Sequence, residues 1–128
     1  MNKIASYLDF HAQALGLRSR RNEILASNIA NAATPNFKAR DLDFDAEIKR
    51  YIGEGPLTTT NKQHIPTKVR PVRDRMLFRE PINPSMDGNT VELPVEQMQF
   101  SENVLRYQTT LSFLNKRITG LMSAIRGE

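Results

Sequence analysis

The chain has 128 residues, of which 39% are hydrophobic and 25% charged, as expected for one modest domain of ordinary composition. It has no cysteine, which excludes disulfide bonds and thiolate metal sites. The net charge of +4 is spread over residues 1–50 and 51–80 instead of forming one dense patch, so a nucleic-acid surface is not expected.

The N-terminal region, residues 1–34, is predicted to be one long helix, because apolar residues recur there at alternating steps of four and three. The residues assigned to a coiled-coil seam on this helix are Ile4, Leu8, Leu15, Leu25 and Ile29. Gly16 weakens the helix and predicts a kink or a close helix contact. The first ten residues include Asp9 and do not resemble a secretory signal peptide, and no run of residues is apolar enough to predict a membrane span.

The end of this helix carries an unusual polar pattern. Thr34 precedes Pro35, and a residue before proline is pushed out of the helical conformation, so the helix should end near residues 32–33. Asn28 and Asn31 are three apart on one face, where their amides could bind the last helical carbonyls, the departing segment or a second helix. A plain C-terminal cap is the simpler alternative for Asn31.

The middle region, residues 35–93, is predicted to be extended and largely irregular, because six of the seven prolines lie in the stretch from Gly53 to Pro94, with Pro94 included. Short strands are expected around residues 68–72 and 76–78. Three alternating acids, at positions 41, 43 and 45, predict a strand with one acidic face. A calcium loop is disfavoured because its glycine and closing glutamate are missing.

The C-terminal region, residues 94–128, is predicted to be a second long helix, with Pro94 in its first turn and Gly127 as its stop. Its seam residues are Phe100, Val104, Tyr107, Leu111, Leu114, Ile118, Leu121 and Ile125. Two long helices with one apolar stripe each predict a mainly α fold in which they pair as an antiparallel coiled coil. Apolar side chains off the seam would then require self-association or partner helices for their burial.

No catalytic constellation is found. His11 and His64 are the only histidines and have no metal-ligand spacing, so neither an enzyme nor a metal or cofactor site is expected.

The helix end resembles the N-terminal signature of the flagellar rod, hook and hook-associated axial proteins. The matching residues are Ser27, Asn28, Ile29, Ala30, Asn31, Thr34, Pro35, Phe37 and Lys38. The continuation over residues 39–44, together with residues 87–91 and 103–108, resembles the proximal rod members of that family. One departure is Asn36-Phe37 where that group more often has Gly-Tyr, and asparagine can take the same left-handed turn.

This resemblance implies a structural rod subunit that assembles helically through its terminal helices, transmits torque and lines the export channel. The implied partners are the chain itself, other rod subunits, membrane-ring and adaptor proteins at the rod base, and the flagellar type III export apparatus. Export without a cleaved signal into the periplasmic rod is implied as well. Phe37, Leu42 and Phe44 are expected on an exposed extended strand that reaches a neighbouring subunit. The alternative is a basic coiled-coil adaptor that binds nucleic acid or an acidic partner.

Overall fold

The computed structural model describes residues 3–53 and 75–127. Its elements in chain order are α1 (Lys3–Ala30), β1 (Arg40–Leu42), α2 (Phe44–Gly53), β2 (Met76–Phe78) and α3 (Leu93–Arg126). The two strands form one antiparallel pair, with Asp41 opposite Leu77. The prediction of a mainly α fold with long terminal helices and short strands is confirmed.

The two long helices pack against each other in opposite directions. Asn28 near the end of α1 reaches Glu96 near the start of α3, whereas Asn103 further along α3 reaches Arg18 earlier in α1. At 1.5 Å per residue the helices are about 42 and 51 Å long. The helix pair therefore forms the long axis on which β1, α2 and β2 are placed.

The helix ends agree with the sequence signals. Pro94 lies in the first turn of α3, and Gly127 ends it with a φ of 79° and an N–H bonded to the Ser123 carbonyl at 3.0 Å. The regular part of α1 ends at Ala30, and a turn follows in which the Thr34 N–H donates to the Asn31 carbonyl at 3.0 Å.

The buried contact between the helices does not coincide with the predicted apolar seam. Its most buried α3 residues are Glu96 and Asn103, which lie to one side of the seam on the helix surface. Leu111, Ile118 and Ile125 consequently remain 36%, 40% and 85% exposed. The other described seam residues are buried or partly buried, namely Leu8, Leu15, Leu25, Ile29, Phe100, Val104, Tyr107, Leu114 and Leu121; the side chain of Ile4 lies outside the described part. The seam is thus only partly used within the chain.

The middle region contains a helix that the sequence analysis did not predict. Asp43 caps α2, accepting the Ala46 N–H on its side chain and the Glu47 N–H on its carbonyl, each at 3.0 Å. Asp45 and Glu47 occupy the first turn, where negative charge suits the helix dipole. The expectation of an acidic strand reaching Asp45 is therefore wrong, because the strand ends at Leu42. The strand expected at residues 76–78 is confirmed, and residues 68–72 lie outside the described part.

Gly16 does not make the close contact that was expected. It lies within the uninterrupted helix α1, and no described atom comes within 4 Å of the position that a Cβ would occupy. No close contact therefore offsets the conformational cost of placing a glycine within a helix.

We expect Gly16→Ala to stabilise the isolated chain by about 1 kcal/mol, since alanine is the better helix former and meets open space. Gly127→Ala is the matched control, and it should lower stability because residue 127 has a φ of +79°. Denaturant unfolding of both variants measures the two changes. A loss of stability in Gly16→Ala would show that α1 bends or is contacted at this position.

Candidate functional site

Asn28 joins three elements through one buried amide. Its side chain is 1% exposed, and its Nδ2 donates to the Arg40 carbonyl at 2.7 Å while its Oδ1 accepts the Arg40 N–H at 3.1 Å. The amide therefore pairs with the outer edge of β1 as a neighbouring strand would. Nδ2 also donates to Glu96 Oε2 at 3.0 Å, which connects α1 and β1 to α3.

The Glu96 carboxylate is bound from both sides although it is 1% exposed. Arg79, just after β2, donates to Glu96 Oε1 at 2.8 Å and lies 3.6 Å from Asp41 Oδ2. A buried carboxylate is costly to desolvate unless it is ion-paired and hydrogen-bonded, and here it is both. Glu96 thus fixes β2 and α1 to the start of α3.

A second ion pair completes the arrangement. Arg21 donates through Nε and Nη2 to the two carboxylate oxygens of Asp41, each at 2.8 Å, and through Nη2 to Gln99 Oε1 at 2.7 Å. Such bidentate pairs are the strongest geometry for arginine and carboxylate. We call Arg21, Asn28, Asp41, Arg79 and Glu96 the polar latch. It connects both long helices to both strands.

Asp41 makes the polar latch sensitive to acid. Burial alone would raise the pKa of its carboxyl, but hydrogen bonds from Arg21 and the Leu42 N–H, with the charge of Arg79, hold that pKa below the ordinary 3.8. A lowered folded-state pKa contributes stability above the unfolded-state pKa, and this stability is lost as the pH falls through the folded value.

We therefore expect the free energy of unfolding to fall on acidification below about pH 4, the ordinary range of an aspartate pKa. Asp41→Asn should be less stable than the native sequence at pH 6 and should show a weaker dependence on pH below 4. Urea unfolding at a series of pH values measures both. Parallel pH profiles for the two proteins would contradict the role given to Asp41.

The signature segment, residues 27–38, runs from the end of α1 into a turn that is held by its own side chains. Asn31 Nδ2 donates to the Ser27 carbonyl at 2.8 Å, and Thr34 Oγ1 donates to Asn31 Oδ1 at 3.1 Å. Asn36 has a φ of 59°, the left-handed conformation that the sequence analysis allowed for it. Asn31 therefore caps its own helix, while Asn28 serves the departing strand and the second helix.

The second stretch that carried the resemblance, residues 87–91, packs onto this turn. Asn89 is buried and donates through Nδ2 to the Asn31 and Ala32 carbonyls at 3.1 and 2.9 Å, which satisfies carbonyls at the end of α1. Lys38 Nζ donates to the Gly88 carbonyl at 2.7 Å. Gly88 has a φ of 73°, and a Cβ there would lie 2.6 Å from Asn36 Oδ1. The two distant sequence stretches thus form one interlocked structure.

The residues assigned to an intersubunit arm have different environments. Phe37 is partly buried and lines a shallow groove with Ser27 and Met76. Leu42 is 2% exposed in the chain's own core, and Phe44 begins α2 with the Arg18 guanidinium 4.1 Å above its ring. The expectation that Leu42 and Phe44 lie on an exposed extended strand is therefore wrong, because β1 packs onto α1 and the chain then turns into α2. Of the other signature residues, Ser27, Ala30, Thr34, Pro35 and Lys38 are exposed and Ile29 is partly buried.

Several residues of this site were not identified from the sequence. Arg21, Arg79 and Glu96 were not singled out as partners. The sequence offered only that Glu96 and Asn103 are one heptad apart and so lie on one face of α3. This spacing alone does not indicate whether that face is buried.

The arrangement is mechanical in character. Within residues 3–53 and 75–127, no group of three histidine, cysteine or acidic side chains could hold a metal ion. No helix of the described part is both long and apolar enough to cross a membrane. The charged side chains of the polar latch pair with one another, and these contacts hold the helices and strands in fixed positions.

Comparisons with known proteins identify the family. A family model described as flagella basal body rod protein matches residues 8–38, which contain most of α1 and the signature segment. The flagellar basal body rod protein FlgB of Cereibacter sphaeroides (strain ATCC 17029) is 56% identical over the full length of both chains. FlgB of Escherichia coli K12 is 42% identical over 98% of this chain and 97% of its own length. FlgB of Salmonella typhimurium LT2 is 41% identical over 99% of this chain and 98% of its own.

These relatives extend along the whole chain, well beyond the signature segment. Their family is structural, so the protein is a rod subunit of the flagellar basal body and is not an enzyme. The alternative of a basic adaptor for nucleic acid or an acidic partner is not supported. The full-length similarity to these relatives, with the family-model match over most of α1 and the signature segment, shows that the chain belongs to the FlgB family of flagellar basal body rod proteins.

Proposed function

We propose that the protein is a subunit of the proximal rod that stacks helically with its neighbours through α1 and α3. The observation that carries this proposal is the incompletely buried apolar stripe along α3. The exposed residues of this stripe share one face of α3 and span about 45 Å along the helix axis. They are Leu93, Leu111, Ile118 and Met122. Full burial of a large apolar side chain contributes roughly 1.5–3 kcal/mol, so covering even part of this stripe by neighbouring helices favours assembly.

A rod that transmits torque requires subunits whose elements do not shift against each other. The polar latch supports this role, since it fixes α1, α3 and the strand pair through buried charge-assisted hydrogen bonds. A stack of such helix pairs around a central channel would line the export path. In an open helical stack each subunit contacts the next through two unlike surfaces, and the two ends of this molecule differ as such a stack requires.

The finer partners and location also belong to this proposal. The family resemblance supports contacts with other rod subunits and with membrane-ring and adaptor proteins at the rod base. It further supports export through the flagellar type III apparatus without a cleaved signal, and a final place in the rod within the periplasmic space.

Deletion and complementation test the proposal. A strain of the source organism lacking this chain should not swim, and electron microscopy of its purified basal bodies should show no rod. The native chain supplied from a plasmid should restore both. A rod of normal appearance in the deletion strain would overturn the proposed function.

Phe37 is the residue of the signature segment best placed to contact a neighbour, since it lines an open groove of about 300 Å³ at the molecular surface. We expect Phe37→Ser to block rod assembly while export of other flagellar proteins into the medium continues, because a polar side chain removes apolar contact area. Swimming in soft agar and secreted-protein gels measure the two effects.

Phe37→Tyr is the matched control, since it keeps the ring, and it should swim normally. Phe44 is left native in this test because its ring packs under Arg18 of the same chain. Normal swimming of Phe37→Ser would remove Phe37 from the set of intersubunit contacts.

A further inference from the structure

Strand β2 combines exposed apolar side chains with an edge that no other described residue pairs with. Its three residues, Met76, Leu77 and Phe78, are 45%, 52% and 68% exposed. The sheet has only the order β1–β2 in the described part of the chain, so one side of β2 is an edge. Natural proteins usually protect such edges with charged residues, proline or a covering segment, since a bare apolar edge invites another strand.

The backbone groups that this edge offers follow from the strand register. Arg40 is opposite Phe78 and Leu42 is opposite Met76. The Arg79 N–H donates to the Ala39 carbonyl at 2.9 Å, whereas the Arg40 backbone groups turn away from β2 to Asn28. Hydrogen-bonded positions alternate along antiparallel strands, so the N–H and C=O of Met76 and Phe78 point away from β1.

Those four backbone groups have no hydrogen-bond partner among the described residues. They are spaced as a neighbouring strand requires, two residues apart on the same side of β2. Asn28 satisfies the opposite edge of the sheet at Arg40, so within residues 3–53 and 75–127 the β2 edge is the one left without a partner. Main-chain pairing of this kind gives affinity, and the adjacent side chains give selectivity.

Charge indicates which kind of strand fits. If two copies of β2 paired antiparallel in the register that uses Met76 and Phe78 of both, Arg75 of one copy would lie opposite Arg79 of the other. Arg79 is compensated by Glu96 and Asp41 within its own chain, so this pairing would bring Arg75 opposite a cation and give it no carboxylate partner. Arg40, whose guanidinium lies 5.3 Å from the centre of the Phe78 ring, and Arg75 have no ion pair within the described residues. The edge therefore favours a strand flanked by carboxylates.

We propose that the outer edge of β2 accepts an extended segment of a neighbouring rod subunit, in which apolar residues are flanked by acidic ones. This inference rests on the proposed function as a rod subunit, and it adds a backbone-paired contact to the helix contacts of that assembly. Added strand hydrogen bonds at Met76 and Phe78 would fix the orientation of the neighbour, which side-chain packing alone does less strictly.

Two substitutions at one position test the backbone pairing. Phe78→Pro removes the outward N–H, whereas Phe78→Ala removes the same ring and keeps the N–H. Proline is tolerated at edge positions whose N–H faces solvent, so both variants should fold, which circular dichroism melting of the purified chains verifies. We expect Phe78→Pro to be incorporated into purified basal bodies at least tenfold less than Phe78→Ala. Equal incorporation would overturn the proposal.

Met76→Pro and Met76→Ala form a second pair that leaves the Phe78 ring intact. This pair tests the backbone pairing if the Phe78 ring itself is required for assembly. We again expect the proline variant to be incorporated at least tenfold less than the alanine variant, and equal incorporation would overturn the proposal. Absence of the native chain from basal bodies would instead refute the proposed function, so the two failures are distinguishable.

The occupant is tested on the isolated chain and in cells. Sedimentation should show a monomer whose Met76 and Phe78 amides exchange rapidly with deuterium. A dimer dissolved by Phe78→Pro would mean that a second copy occupies the edge, and protected amides in a monomer would mean that the chain covers it itself; either result overturns the proposal. A photocrosslinker at position 78 should attach to an extended, acid-flanked segment of another rod subunit, and attachment to a helix would contradict it.

Discussion

Asn28→Ala should destabilise the protein by about 3–5 kcal/mol. The substitution removes hydrogen bonds to both backbone groups of Arg40 and to Glu96, and it leaves these buried groups without their partner. Each buried group left unsatisfied costs roughly 1–3 kcal/mol, and more when it is charged. Since small domains are stable by only about 5–15 kcal/mol, this single change removes a large part of the total.

Asn31→Ala is the control for this prediction, because it changes the same residue type three positions later, just after α1 ends. The Asn31 side chain bonds the Ser27 carbonyl and Thr34 at the exposed helix end. Its loss should cost only about 1 kcal/mol, as for other helix-terminal side-chain hydrogen bonds. Urea unfolding followed by circular dichroism measures both variants. Similar losses in the two would show that Asn28 has no special role in the fold.

Arg79→Met is the second change expected to have a large effect. It removes the cation that binds Glu96 at 2.8 Å, and Glu96 is then a buried carboxylate with Asn28 as its remaining donor. Removing one partner of a buried ion pair typically costs 3–5 kcal/mol because the other charge stays uncompensated. We expect a loss in that range of about 3–5 kcal/mol, with β2 released from α3.

The control is Arg106→Met, which breaks the exposed pair with Glu102 four residues earlier in the same helix. Exposed pairs of this type contribute only about 0.3–0.5 kcal/mol. The double variant Arg79→Met with Glu96→Gln should recover part of the lost stability, since it removes the unpaired charge. No recovery in the double variant would place the effect of Arg79 elsewhere than at Glu96.

The helices and their ends could be predicted from the sequence because the signals are local. The apolar periodicity, Pro94 and Gly127 each act within a few residues, and the structure has α3 running from Leu93 to Arg126. The same is true of Asn36, whose left-handed conformation depends mainly on its own backbone. Antiparallel pairing then followed from two long amphipathic helices in one short chain.

The polar latch could not be predicted, because its partners are far apart in the chain. Arg21 and Gln99 are separated by 78 positions, and Asn28 and Glu96 by 68. No local pattern indicates that a given arginine faces a given carboxylate. Glu96 and Asn103 are the most buried residues of α3, each 1% exposed, so the predicted apolar seam lies partly toward the surface.

The acidic stretch after the signature segment was misjudged for a related reason. Alternating acids suggest a strand face, but each of the three carboxylates does something different. Asp41 binds Arg21, Asp43 caps α2 and Asp45 lies in the first helical turn. Aspartate is a preferred N-cap residue, so Asp43 carried a signal for a helix start in the sequence.

Mass spectrometry of basal bodies purified from the source organism and washed at high salt will show whether this chain is a structural part of the rod. We expect the chain to stay with the particle at a few copies per basal body, together with other rod subunits. Recovery of the other rod subunits without this chain would contradict its role as a structural part of the rod.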